Sequence, residues 1–159
     1  MKVSGLNIDG YGVWSGLKLE GLGDGLNVLY GPNEAGKTTL LQYVRSVLYG
    51  FSPGRQNYLP PVRGGRPGGS LELAGPNGRF RLDRYHDKGP TGDQEQLALT
   101  AADGTRQGEH FVRVLLSDVD ETIYNNVFAV GLREIQELGT LSDTEAAELL
   151  YSRTAGLDR

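Results

Sequence analysis

The chain has 159 residues, enough for one domain or one lobe of a larger one. Its 38% hydrophobic content and mean hydropathy of −0.38 point to a soluble globular chain, and the lack of cysteine excludes disulfides and cysteine metal sites. The net charge of −4 hides a gradient: four basic and four acidic residues over 1–50, seven against three over 51–90, and five against thirteen over 91–159.

Val3–Ile8 alternates as a strand does, and Leu17–Glu20 reads as a second strand after a glycine-containing link. Gly21, Gly23 and Gly25 then make a turn, and Leu26-Asn27-Val28-Leu29-Tyr30 reads as a short buried strand. It runs into Gly31-Pro32-Asn33-Glu34-Ala35-Gly36-Lys37-Thr38, which fits the phosphate-binding pattern G-x-x-x-x-G-K-[ST]. Leu40, Leu41, Val44, Val47 and Leu48 follow at helical spacing, predicting an α-helix with Gln42, Arg45 and Ser46 turned away from the core. Residues 50–69 are rich in glycine and proline and predict a mobile loop. Ser70–Leu73 and Arg79–Tyr85 form the two arms of a hairpin around Pro76-Asn77-Gly78, and Glu95–Thr100 is a further strand. From Glu109 the spacing turns helical, with Phe111, Val112, Leu115 and Leu116 on one face and a second helix over Val119–Val130. Ser142-Asp143-Thr144-Glu145 is a capping-box signature for a last helix through Leu150.

Strand, glycine-rich loop and amphipathic helix together are what the phosphate motif requires. Gly31 and Gly36 let the backbone turn its N–H groups inward onto phosphate oxygens, and the helix N-terminus adds its partial positive charge. The stretch Gly31, Pro32, Asn33, Glu34, Ala35, Gly36, Lys37, Thr38 and Thr39 is therefore the candidate nucleotide site. Lys37 would reach the β- and γ-phosphates and serve catalysis, the Thr38 hydroxyl would ligate Mg²⁺, and Thr39 would hydrogen-bond the α-phosphate. ATP with Mg²⁺ is the expected cofactor. His86 and His110 are too far apart in sequence to suggest zinc. No leader pattern and no apolar run near the roughly 18 residues of a membrane helix is visible, so no membrane partner and a cytoplasmic location are expected.

The order of elements resembles the N-terminal lobe of ABC-class ATPases. Within that class, LNIDGYGVWSGLKLEGLGDGLNVLYGPNEAGKTTLLQYVRSVLYG looks like the start of SMC/SbcC-type DNA-repair and chromosome-maintenance ATPases, with the strongest likeness to bacterial YhaN-type AAA proteins. VRGGRPGGSLEL and YNNVFAVGLREIQEL resemble later segments of the same group. The resemblance implies an α/β P-loop NTPase fold, the N-terminal half of an ATPase head, with a mixed sheet and an antiparallel β subdomain. On this reading the chain is a single ATP-binding lobe: 1–50 strands, P-loop and helix; 51–69 loop; 70–107 antiparallel strands; 108–159 helical. The resemblance also implies a Walker B acid and a signature motif in a C-terminal lobe beyond a coiled coil. Neither is found here, since Val114–Asp118 sits in a helical setting and Leu141-Ser142-Asp143 lacks the signature glycines. It further implies a Q-loop glutamine, for which Gln136 is nearest, and an aromatic stacking on the base, for which Tyr11 or Trp14 is placed; either aromatic could instead pack the open end of the sheet. The implied partners are the C-terminal lobe, a second head in a homodimer, and DNA with a nuclease.

Two other readings stay open. A self-contained P-loop kinase would need its own magnesium acid and an arginine-rich lid, for which the Arg55–Arg66 loop is conceivable. A nucleotide-binding interaction module would need no chemistry at all. The basic middle of the chain could meet nucleic acid, or its arginines could pair locally.

Overall fold

The computed structural model describes residues 1–89 and 92–129. The predicted Ser142–Leu150 helix and Gln136 lie outside them. The chain divides into two compact units, Met1–Leu115 and Leu116–Arg159.

The first unit is built on a six-stranded sheet: β1 (Lys2–Tyr11), β2 (Trp14–Leu19), β3 (Gly68–Gly75), β4 (Gly78–Gly89), β5 (Gly92–Ala101) and β6 (Arg106–Gln107), in the spatial order β2-β1-β3-β4-β5-β6. Every pairing is antiparallel. The mixed sheet expected from the resemblance is thus not present among the described residues. Alternation put one row of side chains on each face, and register aligned them: Leu6 pairs with Leu71, Leu71 with Leu82, and Leu82 with Leu99. These four leucines are almost wholly buried and form the floor of the core. Each such side chain contributes about 1.5–3 kcal/mol of transfer free energy.

Helix α1 (Lys37–Tyr49) packs on this floor. Its buried residues are Thr39, Leu40, Tyr43, Ser46, Val47 and Leu48. The predicted face is corrected by this set: Leu41 and Val44 are only half-buried, and Ser46, expected to face away, is fully enclosed. Hydrogen bonds explain the rotation. The Ser46 hydroxyl donates to Gln42 O at 2.9 Å and accepts from the Tyr11 hydroxyl at 2.9 Å, so its burial leaves nothing unpaired. The Tyr43 hydroxyl donates to Asn7 O at 2.7 Å, beside the irregularity in the β1–β3 pairing between Ile8 and Gly10. Gly69 makes room for it: with φ at 152°, a Cβ there would lie 2.1 Å from Asn7 O and 2.6 Å from the Tyr43 hydroxyl. At the far end of α1, buried Arg84 donates through Nε to Val47 O at 2.9 Å and through Nη1 to Glu95 at 2.8 Å. Glu95 in turn accepts from the Phe51 N–H at 2.7 Å.

The glycine- and proline-rich segment after α1 is also corrected. It holds a short helix α2 (Pro53–Gln56) and is pinned at several points. Tyr58 stacks on Tyr11, Gly12 N–H donates to Tyr58 O at 2.9 Å, and Val62 N–H donates to Gly12 O at 2.8 Å. Arg55 is buried with its Nε on Gly50 O at 2.8 Å. Arg66 is bound to Asp87 and Gln96 and lies 3.9 Å over the Tyr85 ring. Its hydrogen bond holds the Asp87 carboxyl below the usual carboxylate range. Two of the three arginines of the Arg55–Arg66 loop are thus engaged, and the third, Arg63, is exposed.

Leu26–Tyr30 is not a strand. It lies outside the sheet, and Leu26, Val28 and Tyr30 are exposed at 92%, 74% and 96%. An apolar run becomes a strand only where another strand pairs with it. Helix α3 (His110–Leu115) turns Phe111 onto Phe80 and contains Val114 and Leu115, so the weak Walker B likeness of 114–118 begins in a helix rather than a strand.

In the second unit, the predicted Val119–Val130 helix is broken into α4 (Glu121–Ile123) and a π-helical turn over Tyr124–Phe128. Asp120 caps α4, accepting from Ile123 N–H at 2.8 Å.

Replacing Gly69 by Ala is expected to cost about 3 kcal/mol, since both φ and space oppose a side chain; urea unfolding measures it. A second expectation concerns pH. Burial pushes the Tyr11 hydroxyl from 10.0 up to about 12, and raises Tyr43 likewise. A phenol with a raised folded-state pKa contributes its full stability below the unfolded value and loses it as pH climbs through the folded one. Stability should therefore stay level to about pH 10 and fall between about 10 and 12. Tyr11→Phe should make that fall shallower in urea melts taken at stepped pH.

Candidate functional site: the phosphate loop

From Glu20 to Gly36 the chain runs without helix or strand and then enters α1. Ala35 N–H donates to Pro32 O at 3.3 Å, closing a turn, and Glu34 and Gly36 take positive φ values of 65° and 88°. Gly36 is the N-cap residue of α1 and offers no side chain to its first-turn N–H groups, nor does an acidic residue stand in that turn. A helix of 13 residues thus begins with its amide donors unsatisfied by any cap. That is the chemistry of an anion site.

Lys37 is exposed, and its Nζ donates to Gly31 O at 2.7 Å and Pro32 O at 2.6 Å. The ammonium therefore folds back across the mouth of the loop from the first helical position. Thr38 is exposed beside it. Thr39 is buried at 9%, its methyl directed at the β1–β2 turn, where a Cβ on Gly12 would come within 2.6 Å. Pro32, Asn33 and Glu34 are exposed and Gly31 and Ala35 half-buried, so the sequence-predicted loop residues gather at one end of α1. Lys37, Thr38 and the uncapped amides match the needs of a Mg²⁺-bound triphosphate: fixed donors, one mobile cation and one hydroxyl for a hard metal ion.

The two candidate aromatics part company. Tyr11 is fully buried, stacked on Tyr58 and bonded to Ser46, so it is corrected from a base-stacking surface to a core residue. Trp14 is half-buried against the loop, its indole N–H donating to Gly36 O at 3.1 Å. A Cβ on Gly36 would sit 2.8 Å from Val13 and 2.9 Å from the Trp14 ring. This contact was not foreseeable from spacing, because Trp14 and Gly36 meet only through the β1–β2 hairpin. Gln136 lies outside the described residues. Among those residues no cluster of three or more His, Asp and Glu side chains forms a metal site.

The sheet, the glycine-rich loop and the uncapped helix define a P-loop nucleotide-binding domain, and a model of the AAA domain family matches residues 1–159; the chain belongs to that family. Among curated proteins it is similar to "Uncharacterized protein YhaN" of Bacillus subtilis (strain 168), with 28% identity over 160 residues. The match covers 99% of this chain but only 16% of that relative.

Gly36→Ala is expected to destabilise the fold by about 2 kcal/mol, because a methyl group would meet Val13 and Trp14 at a φ that disfavours it. Thermal unfolding with the wild type alongside reads the difference.

Proposed function

We propose that this chain is the ATP-binding lobe of an SMC/SbcC-type ATPase that acts in DNA repair or chromosome maintenance. The observation that carries the reading is the phosphate loop at the uncapped N-terminus of α1, with Lys37 and Thr38 exposed beside it. Lys37 would leave the Gly31 and Pro32 carbonyls for the β- and γ-phosphates, and Thr38 would hold Mg²⁺. The loop residues 31–39 bind and orient the phosphates.

The lobe supplies half of a site. Gln136 of this chain would serve as the Q-loop glutamine, while a Walker B acid from a C-terminal lobe and a signature motif from a second head in a homodimer would complete the site. Two observations support this. Leu26, Val28 and Tyr30 are exposed immediately before the loop, where a strand from another lobe would cover them and pair with their backbone. The chain also spans only 16% of the length of its curated relative. DNA and a nuclease are the partners this class of ATPase suggests. No helix among the described residues is long and apolar enough to cross a membrane; the cytoplasmic setting belongs to the proposal.

Calorimetric titration with Mg²⁺ and a non-hydrolysable ATP analogue tests the reading. The wild-type chain should bind weakly, and Lys37→Ala should weaken binding at least tenfold, as loss of a charge-assisted hydrogen bond does. Steady-state turnover by the chain alone should be near background. Rapid turnover would show a complete active site and sink the half-site reading; no binding by a folded sample would favour an interaction module with an idle loop.

A further inference from the structure

The β1–β2 hairpin contacts the phosphate loop at Gly36. Its turn residues, Gly12 and Val13, are flanked by the partners Tyr11 and Trp14. Gly12 is clamped through both backbone groups, its N–H on Tyr58 O at 2.9 Å and its carbonyl under Val62 N–H at 2.8 Å. The hairpin tip therefore cannot swing freely. From this fixed tip, the Trp14 indole N–H reaches Gly36 O at 3.1 Å, and the same carbonyl accepts Leu40 N–H at 2.9 Å.

That carbonyl matters because of what shares its peptide plane. In a planar trans peptide, the C=O of one residue and the N–H of the next point in opposite directions. Drawing Gly36 O toward Leu40 and Trp14 therefore aims the Lys37 N–H the other way, out of the helix N-terminus and into the loop. Gly36 reaches this orientation only with φ at 88°, and the Val13 and Trp14 side chains fill the space a side chain on it would need.

We infer that Trp14 is a positioning residue for the phosphates: its hydrogen bond to Gly36 O fixes the Gly36–Lys37 peptide so that the loop amide is aimed before ligand arrives. It acts through the loop, on the triphosphate, and this is distinct from stacking on a base. The inference rests on the reading of Gly31–Thr38 as an ATP site. Because the chain has a single tryptophan, its emission reports this one contact.

The test uses the wild-type chain with three ligands: Mg-ATP analogue, Mg-tripolyphosphate and adenosine, each followed by calorimetry and by tryptophan emission. Tripolyphosphate, which has no base, should change the Trp14 emission as the ATP analogue does, and adenosine should leave it unchanged. Trp14→Phe, which keeps a six-membered aromatic ring but removes the pyrrole ring with its N–H, should weaken binding of both phosphate ligands about fivefold, the scale of one net hydrogen bond. Its melting temperature should move by no more than about 4 °C. Calorimetric binding of tripolyphosphate with no change in emission would overturn the inference while leaving the ATP site standing. So would an emission change with adenosine alone, which would make Trp14 a base platform, or unchanged affinity in Trp14→Phe. Absence of binding by either phosphate ligand to the folded wild type would overturn the ATP-site reading and this one together.

Discussion

The placement of α1 on the sheet is the constraint on which the nucleotide end depends. Hydrophobic contact with the leucine floor draws the helix down but does not choose its rotation, since that attraction has no direction. Hydrogen bonds choose it. Tyr43 reaches the backbone of β1 at 2.7 Å, Ser46 locks to Tyr11, and Arg84 holds the last turn through Val47 O. Turn α1 by one residue and all three bonds break inside the core, where an unpaired polar group costs about 1–3 kcal/mol. The N-terminus of α1, and with it the direction of its free amides, is thus set from the middle and far end of the helix.

Much of this was legible in the chain. Strict alternation in Arg79–Tyr85 and the turn at Pro76-Asn77-Gly78 announced the β3–β4 hairpin, and the phosphate motif is local enough to be read from its glycines and Lys37 alone. The face of α1 was not legible, because counting apolar residues passes over Tyr43 and Ser46, whose burial depends on partners 35 and 36 positions away. The segment after α1 misled for a related reason. Glycine and proline report that the chain turns, but not that Tyr58 will stack on Tyr11 or that Arg55 will be enclosed. Leu26–Tyr30 has the composition of a strand, yet a strand is a relation between two segments, and its partner is not among the described residues. Tyr11 and Trp14 looked equivalent in sequence; three positions apart at a hairpin tip, one points into the core and the other at Gly36.

The architecture separates two tasks. The antiparallel sheet is a rigid base that closes its own hydrogen bonds from β2 to β6. The loop and the apolar run before it stand at the border of that base, with donors and side chains facing outward. The chain belongs to the AAA domain family and spans about 16% of the length of the YhaN relative.

The pairing of the central arginines has a consequence for the electric field around the molecule. Residues 51–90 carry seven cationic side chains. Arg66 is neutralised by Asp87, Arg81 by Asp83 and Arg84 by Glu95, and Arg55 is enclosed. Cations already matched by carboxylates displace few counterions when a polyanion approaches, and that release is what drives salt-dependent attachment to nucleic acid. Arg63, Arg79 and Lys88 are exposed, so the paired arginines weaken the field of this band and leave these three cations to set what a polyanion would meet there.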